Sequence, residues 1–239
     1  MKLDTSPQHI GIVGCSAEGA ALCYKTICIE SSKILGKHAH PEISMHTHSL
    51  AKYVDCLNSN DLSGVGELML SSAQKLKMQG ADFLICPDNT IHQALGYVKE
   101  RSPLPWLHIA EVVVLSAKSR GFRQLGILGT RWLVESNVYP EKVESLGLTW
   151  KRPASEEINE MGRLIMEELV CGIFMPESVT YFQSVIKNLK DDGCDAIVLG
   201  CTEIPLIIND SNSPLPTLNS NRLLAEAAIK EAVEYKKYI

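Results

Sequence analysis

Four short apolar runs organise the chain: IGIVG at 10–14, ADFLIC at 81–86, LGILG at 125–129 and DAIVLG at 195–200. Their apolar residues are consecutive rather than alternating, as expected of strands covered on both faces by helices in a parallel sheet. The longer segments between them carry apolar residues at three- and four-residue spacing, the period of an amphipathic helix. This spacing predicts helices over Glu18–Ile34, Gly66–Gln79, Ile91–Lys99, Glu111–Ser119, Ser155–Glu168, Glu177–Lys190 and Arg222–Tyr235. Strand and helix alternate, which predicts βα units around parallel sheets.

The runs also repeat. GIVG at Gly11–Gly14 is matched by GILG at Gly126–Gly129, an offset of 115. GADFLICPDNT from Gly80 is matched by GCDAIVLGCTE from Gly193, an offset of 113, and PLPWL from Pro103 by PLPTL from Pro214, an offset of 111. Three collinear matches at nearly constant offset predict two similar α/β halves. Within the second match Asp88 and Cys201 fall in the same place, the turn directly after a buried strand. Ligands of open parallel sheets bind outside the carboxyl ends of the strands, where a following helix also presents free backbone N–H groups. Two halves facing across a cleft would therefore offer Asp88 from one wall and Cys201 from the other.

Composition narrows the function classes. With 239 residues, 45% hydrophobic and 21% charged, the chain has the make-up of a globular protein large enough for two cores. A net charge of −5, without a Lys/Arg cluster interleaved with aromatics, gives no basis for a nucleic-acid partner. The N-terminal MKLDTSPQHI has no apolar signal core, and no apolar run approaches the roughly 18–20 residues of a membrane span, so a cytoplasmic protein is expected. Eight cysteines are scattered without CxxC pairs, the pattern of small buried hydrophobes rather than of a zinc site or a disulfide framework.

Several motifs carry a family resemblance: IGIVG with the small-residue loop Cys15–Gly19, the strand ending in Asn89-Thr90 with His92 after it, PWLHIAE, ELVCGIF and GCTEIP at 200–205. Together they resemble the aspartate/glutamate racemase family, cofactor-independent enzymes that include hydantoin racemases and, more distantly, an arylmalonate decarboxylase and maleate isomerases. The resemblance implies two pseudo-twofold related domains, each a four-stranded parallel sheet flanked by helices, with the active site in the interdomain cleft. The boundaries expected are 1–115 plus 216–239 for the first domain and 116–215 for the second, the final helix returning to the first. It also implies a homodimer, a small amino acid or related carboxylate as ligand, and neither metal nor pyridoxal phosphate.

Racemases of this family use two cysteines, one before Asn-Thr and one before Thr-Glu, to remove and return the α-proton on opposite faces. Here the second is Cys201 and the first is replaced by Asp88. A two-base reaction needs one protonated and one deprotonated group, and a carboxylate paired with a thiol meets that requirement. A solvated carboxylate is a weak base for a Cα–H, so desolvation or a nearby anion is expected around Asp88. The basic residues that hold an acidic side chain in the family are missing at Met45–Ser49 and Val170–Phe174, leaving His46 or His48 to supply a charge.

Each candidate also has a plainer reading. Asp88 suits a helix N-cap, which is compatible with catalysis. Asn89, Thr90 and Thr202 are expected to bind the substrate's α-carboxylate and the enolate-like charge, with Glu203 capping or orienting beside them. Ser16 lies in a turn able to hold an anion through its amides. Thr130 stands at the repeat position of Cys15 and is a candidate ligand contact by that correspondence. His48 and His92 are candidate substrate contacts, His108 more simply a buried histidine, and the charges of Glu156–Glu168 a solvated helix face. The functional expectation is an aspartate- or glutamate-type racemase using Asp88 and Cys201. Its alternatives are a one-sided decarboxylase or cis-trans isomerase relying on Cys201, and a non-catalytic amino-acid-binding homologue.

Overall fold

The computed structural model describes residues 6–234. Residues 1–5 of the N-terminal stretch and Tyr235, to which the last helix is predicted to extend, lie outside the described residues. The chain divides into two compact units, one running to Ile109 and resuming at Leu224, the other Ala110–Leu223.

The first unit holds β1 (Ile10–Gly14), α1 (Ala17–Leu35), β2 (Ile43–Thr47), α2 (Leu50–Asn58), α3 (Leu62–Met78), β3 (Phe83–Ile85), α4 (Leu95–Val98) and β4 (Trp106–Leu107). Helix α5 (Ile109–Ser119) leads into the second unit, which contains β5 (Gln124–Leu128), α6 (Arg131–Val134), α7 (Pro140–Ser145), β6 (Thr149–Lys151), α8 (Ser155–Glu167), α9 (Pro176–Asp191), β7 (Ala196–Leu199) and β8 (Thr217–Asn219), followed by α10 (Ser220–Glu234). Each unit has a four-stranded, all-parallel sheet, ordered β2-β1-β3-β4 in the first and β6-β5-β7-β8 in the second.

The sequence repeat is a register repeat. Gly11 stands opposite Leu84 and Leu84 opposite Trp106; Gly126 stands opposite Ile197 and Ile197 opposite Thr217. These pairs are separated by the offsets 115, 113 and 111 read from the motifs. The hydrogen bonds that hold the strands recur as well. The Asp82 carboxylate accepts from the His9 backbone N–H (2.7 Å), as that of Asp195 accepts from Gln124 (3.1 Å). Ser102 Oγ bonds the Leu104 carbonyl at 2.7 Å, and Ser213 Oγ that of Leu215 at the same distance. Gly11 and Gly126 fill matching tight places, where a Cβ would come within 2.6 Å of Leu84 Cδ2 and 2.5 Å of Ile197 Cδ1.

β1, β3 and β7 are buried along their whole length, which is why their sequence reads as continuous apolar runs. In the second unit, the sheet is covered by Met161, Ile165, Phe182, Val185 and Ile186 in one apolar cluster, and by Ala110, Val113, Val114 and Ala117 of α5 in another. That second cluster explains why the unit boundary falls at 109/110 rather than at 115/116: the apolar face of α5 packs with Leu125, Ile127, Val198 and Leu218. At the other end the boundary is 223/224, and the Gln8 N–H donates to the Ala232 carbonyl, tying α10 to the N-terminal segment of the first unit.

Two helices differ from their predicted spans. α3 begins at Leu62, before Gly66, because the Asp61 carboxylate accepts from the Gly64 N–H (2.8 Å) and caps an earlier turn. The helix predicted over Ile91–Lys99 is instead a 3-10 turn, Thr90–Ala94, followed by the short α4. An α-helical turn there would send the His92 N–H to the Asp88 carbonyl. The His92 ring takes that carbonyl through Nδ1 (2.7 Å), and the His92 N–H bonds Asn89 at 3.3 Å. The side chain thus displaces a main-chain bond and tightens the helix.

Candidate functional site

In the first unit the candidate residues collect at the carboxyl ends of neighbouring strands. Ser16, after β1, caps α1 by accepting from the Gly19 N–H at 3.2 Å. After β3, Asp88 is half-buried and its Oδ1 accepts from the Ile91 N–H at 3.1 Å, so it caps the 3-10 turn. Asn89, Thr90 and His92 are buried beside it. An N–H can only donate, so the bond from Ile109 N–H to His92 Nε2 (3.3 Å) fixes that nitrogen as the acceptor and places the proton on Nδ1, which donates to Asp88. His92 thereby links the Asp88 turn to the start of α5, and the His108 ring lies 4.8 Å from its centroid.

The second unit repeats the arrangement with different chemistry. Thr130, after β5, accepts from the Leu133 N–H (3.2 Å) and caps α6 as Ser16 caps α1, although by register it stands at the place of Cys15. After β7, the Cys201 thiol donates to Glu203 Oε2 at 2.9 Å, and the Thr202 hydroxyl donates to the same oxygen at 2.8 Å. All three side chains are buried. Glu203, expected to cap or orient, makes no side-chain cap hydrogen bond and is bonded directly to the Cys201 thiol.

Glycine makes this turn possible. A Cβ on Gly200 would lie 2.6 Å from the Leu128 carbonyl oxygen, a backbone atom that cannot yield as a side-chain end can. The Gly200 N–H donates to that same oxygen at 2.8 Å. Gly200→Ala is expected to cost about 2 kcal/mol or more, the scale of an overpacked core, and to displace Cys201. Thermal unfolding of the variant, together with the rate at which a maleimide labels Cys201, would check both effects.

A third group lies on β2 and α3 of the first unit. Lys75 Nζ donates to His46 Nε2 (3.0 Å), His46 Nδ1–H donates to Ser72 Oγ (2.9 Å), and Ser72 donates to the Leu68 carbonyl (3.2 Å). His48 bonds Ser71 Oγ at 3.2 Å, and its ring meets that of His46 edge-on. Burial and the Lys75 charge lower the His46 pKa; burial, followed by His46, Lys75 and Lys52, lowers that of His48. Both imidazoles are thus neutral at pH 7, and the cation in this group is Lys75 rather than either histidine. Because their folded pKa values lie below the ordinary value near 6.5, the unfolded chain takes up these protons first. Stability is expected to be unaffected by this pair above about pH 6.5 and to fall as pH drops below it. A His46→Asn, His48→Gln double variant should flatten the acid side of the melting-temperature profile, and an unchanged slope would count against it.

Two fully buried cysteines are poor candidates for the chemistry. Cys86 is fully buried two residues before Asp88, and burial, followed by the Asp88 charge, holds its thiol well above the ordinary range. Burial pushes Cys23 up to about 12. Among the described residues no cluster of three His, Cys, Asp or Glu side chains could hold a metal ion, and no helix is long and apolar enough to cross a membrane.

Sequence reasoning passed over Tyr53, Tyr139, Ser220 and Asn221, all buried. Ser220 Oγ bonds the Leu199 carbonyl (2.8 Å) at the end of β7. The PLPWL/PLPTL match placed this stretch at the end of an equivalent strand and was the available signal for Ser220 and Asn221.

A model of the Asp/Glu/hydantoin racemase family matches residues 12–228. The broad specificity amino-acid racemase RacX of Bacillus subtilis is 22% identical over 172 residues, spanning 70% of this chain and 72% of the relative. A glutamate racemase of Hydrogenobaculum sp. is 27% identical over 150 residues, spanning 62% of this chain and 56% of its own length. Among solved structures, an aspartate racemase homologue from Pyrococcus horikoshii OT3 superposes with a TM-score of 0.81 at 25% identity, covering 94% of this chain and 99% of its own. A glutamate racemase from Francisella tularensis in complex with D-glutamate has the same fold, with a TM-score of 0.72 at 16% identity over 98% of this chain and 83% of that one.

Proposed function

The chain belongs to the Asp/Glu/hydantoin racemase family, and on that premise we propose that it is a cofactor-independent racemase of aspartate or glutamate, with Asp88 and Cys201 as its acid/base pair. The observation that carries the reading is positional: Asp88 and Cys201 occupy one register-equivalent turn, 113 residues apart, directly after β3 and β7.

In one direction the Asp88 carboxylate takes the α-hydrogen as a proton, leaving the electron pair on the α-carbon and its carboxylate as an enolate-like dianion. The Cys201 thiol then gives its proton to the opposite face, which inverts the centre and leaves a carboxylic acid and a thiolate. The reverse direction starts from that state. Glu203, accepting from the thiol, holds it in one orientation and can take its proton. Asn89, Thr90 and the Thr202 backbone N–H supply donors for the α-carboxylate as its charge grows, and Lys75, beside His46, offers a cation to a side-chain carboxylate.

A second reading is favoured by one asymmetry. The Cys201 thiol is bonded directly to the Glu203 carboxylate, whereas Asp88 Oδ1 caps a turn by accepting from the Ile91 N–H. A decarboxylase or cis-trans isomerase needs one proton donor, and Cys201 with Glu203 would be enough. Proton NMR of L- and D-amino acids in deuterated water separates the two. Decay of an α-proton signal with appearance of the enantiomer supports racemisation, and exchange without inversion supports one-sided chemistry. Binding without any exchange points to a non-catalytic homologue.

A further inference from the structure

Tyr53, on α2, is fully buried, and among the described residues its hydroxyl makes no hydrogen bond. The Ser72 hydroxyl lies close to the phenol but outside hydrogen-bond geometry with it, and it bonds His46 and the Leu68 carbonyl instead. Cys86, Cys15 and Asp88 all lie within electrostatic reach of the phenol, which places its oxygen near the carboxyl ends of β1 and β3, where the chain turns through Cys15 and Asp88. Phenylalanine would fill the same space without a desolvated oxygen, so the hydroxyl is a cost to folding unless a ligand meets it. Burial, more than the neighbouring acids, holds the phenol proton well above its ordinary range, so the group is a neutral donor at any physiological pH.

We propose that the Tyr53 hydroxyl is a ligand-binding group that donates a hydrogen bond to a carboxylate oxygen of the acid bound beside Asp88. The assignment rests on the reading of the Asp88 turn as an amino-acid site and adds a residue to it. A neutral donor suits the place. A lysine or arginine there would bind the same carboxylate but would also stabilise Asp88 as an anion and weaken it as a base. A phenol holds the ligand without that penalty.

The test is Tyr53→Phe, which removes one oxygen and keeps the ring. The melting temperature without ligand should stay the same or rise. The stabilisation produced by L- or D-aspartate or L- or D-glutamate should shrink, and KM for the substrate should rise about tenfold or more, as for one lost hydrogen bond to a charged group, with kcat changed far less. A tyrosine with only a structural role would give the opposite pattern, a lower melting temperature and unchanged KM, and that result overturns the proposal. So does a wild-type protein stabilised by none of the four amino acids. If the wild type is stabilised but exchanges no α-hydrogen, the racemase reading fails, while the ligand-induced shift of Tyr53→Phe against wild type still decides the role of the hydroxyl.

Discussion

Cys201→Ala is expected to lower racemisation by about a thousandfold or more, the effect of removing a positioned acid or base, with little change in melting temperature. The side chain is small, and its removal breaks the thiol bond to Glu203, so a collapse of the fold is not the expected route to inactivity. The informative quantity is the exchange that remains. With the thiol gone, Asp88 can still take the α-proton of the enantiomer that presents it and, after trading with solvent, return deuterium to the same face. Exchange of one enantiomer should therefore outlast inversion, measured as loss of the α-proton signal in deuterated water without change of optical rotation. Full racemisation by Cys201→Ala would exclude Cys201 from the reaction.

Asp88→Asn should remove inversion to a similar extent, about a thousandfold, and leave residual exchange on the other enantiomer, through Cys201. Asparagine keeps the side-chain oxygen that accepts from the Ile91 N–H, so the turn stays capped while the base is lost. The two variants are thus expected to be mirror images in enantiomer preference. Residual exchange on the same enantiomer in both would show that one group serves both faces. Asp88→Cys completes the comparison: a thiol holds its proton to higher pH than a carboxylate, so the acid limb of the rate profile should move upward. A limb that does not move would assign the titrating base to another residue.

The turns that carry these residues were legible because two signals coincide there, a continuous apolar run and a repeat of that run elsewhere in the chain. The edge strands β2 and β6 were not located, since both are partly exposed and lack the unbroken apolar character of β1 or β7. The 3-10 turn after β3 was read as part of a longer helix because its cause is a single His92 ring bond to the Asp88 carbonyl, which no periodicity records. Glu203 was legible in position but not in its thiol contact. Tyr53 was missed for a more general reason. On an amphipathic helix a tyrosine fits the apolar stripe as well as leucine does, and whether its oxygen finds a partner depends on residues distant in sequence.

The matched hydrogen-bond frames, Asp82 with Asp195 and Ser102 with Ser213, are the marks of a duplicated half that kept its scaffold while its turns diverged. A lineage built this way can try a new acid or base in one half while the other half keeps its reactive group. Asp88 and Cys201, two different residues at one repeated position, are the kind of mixed outcome that such separate variation produces.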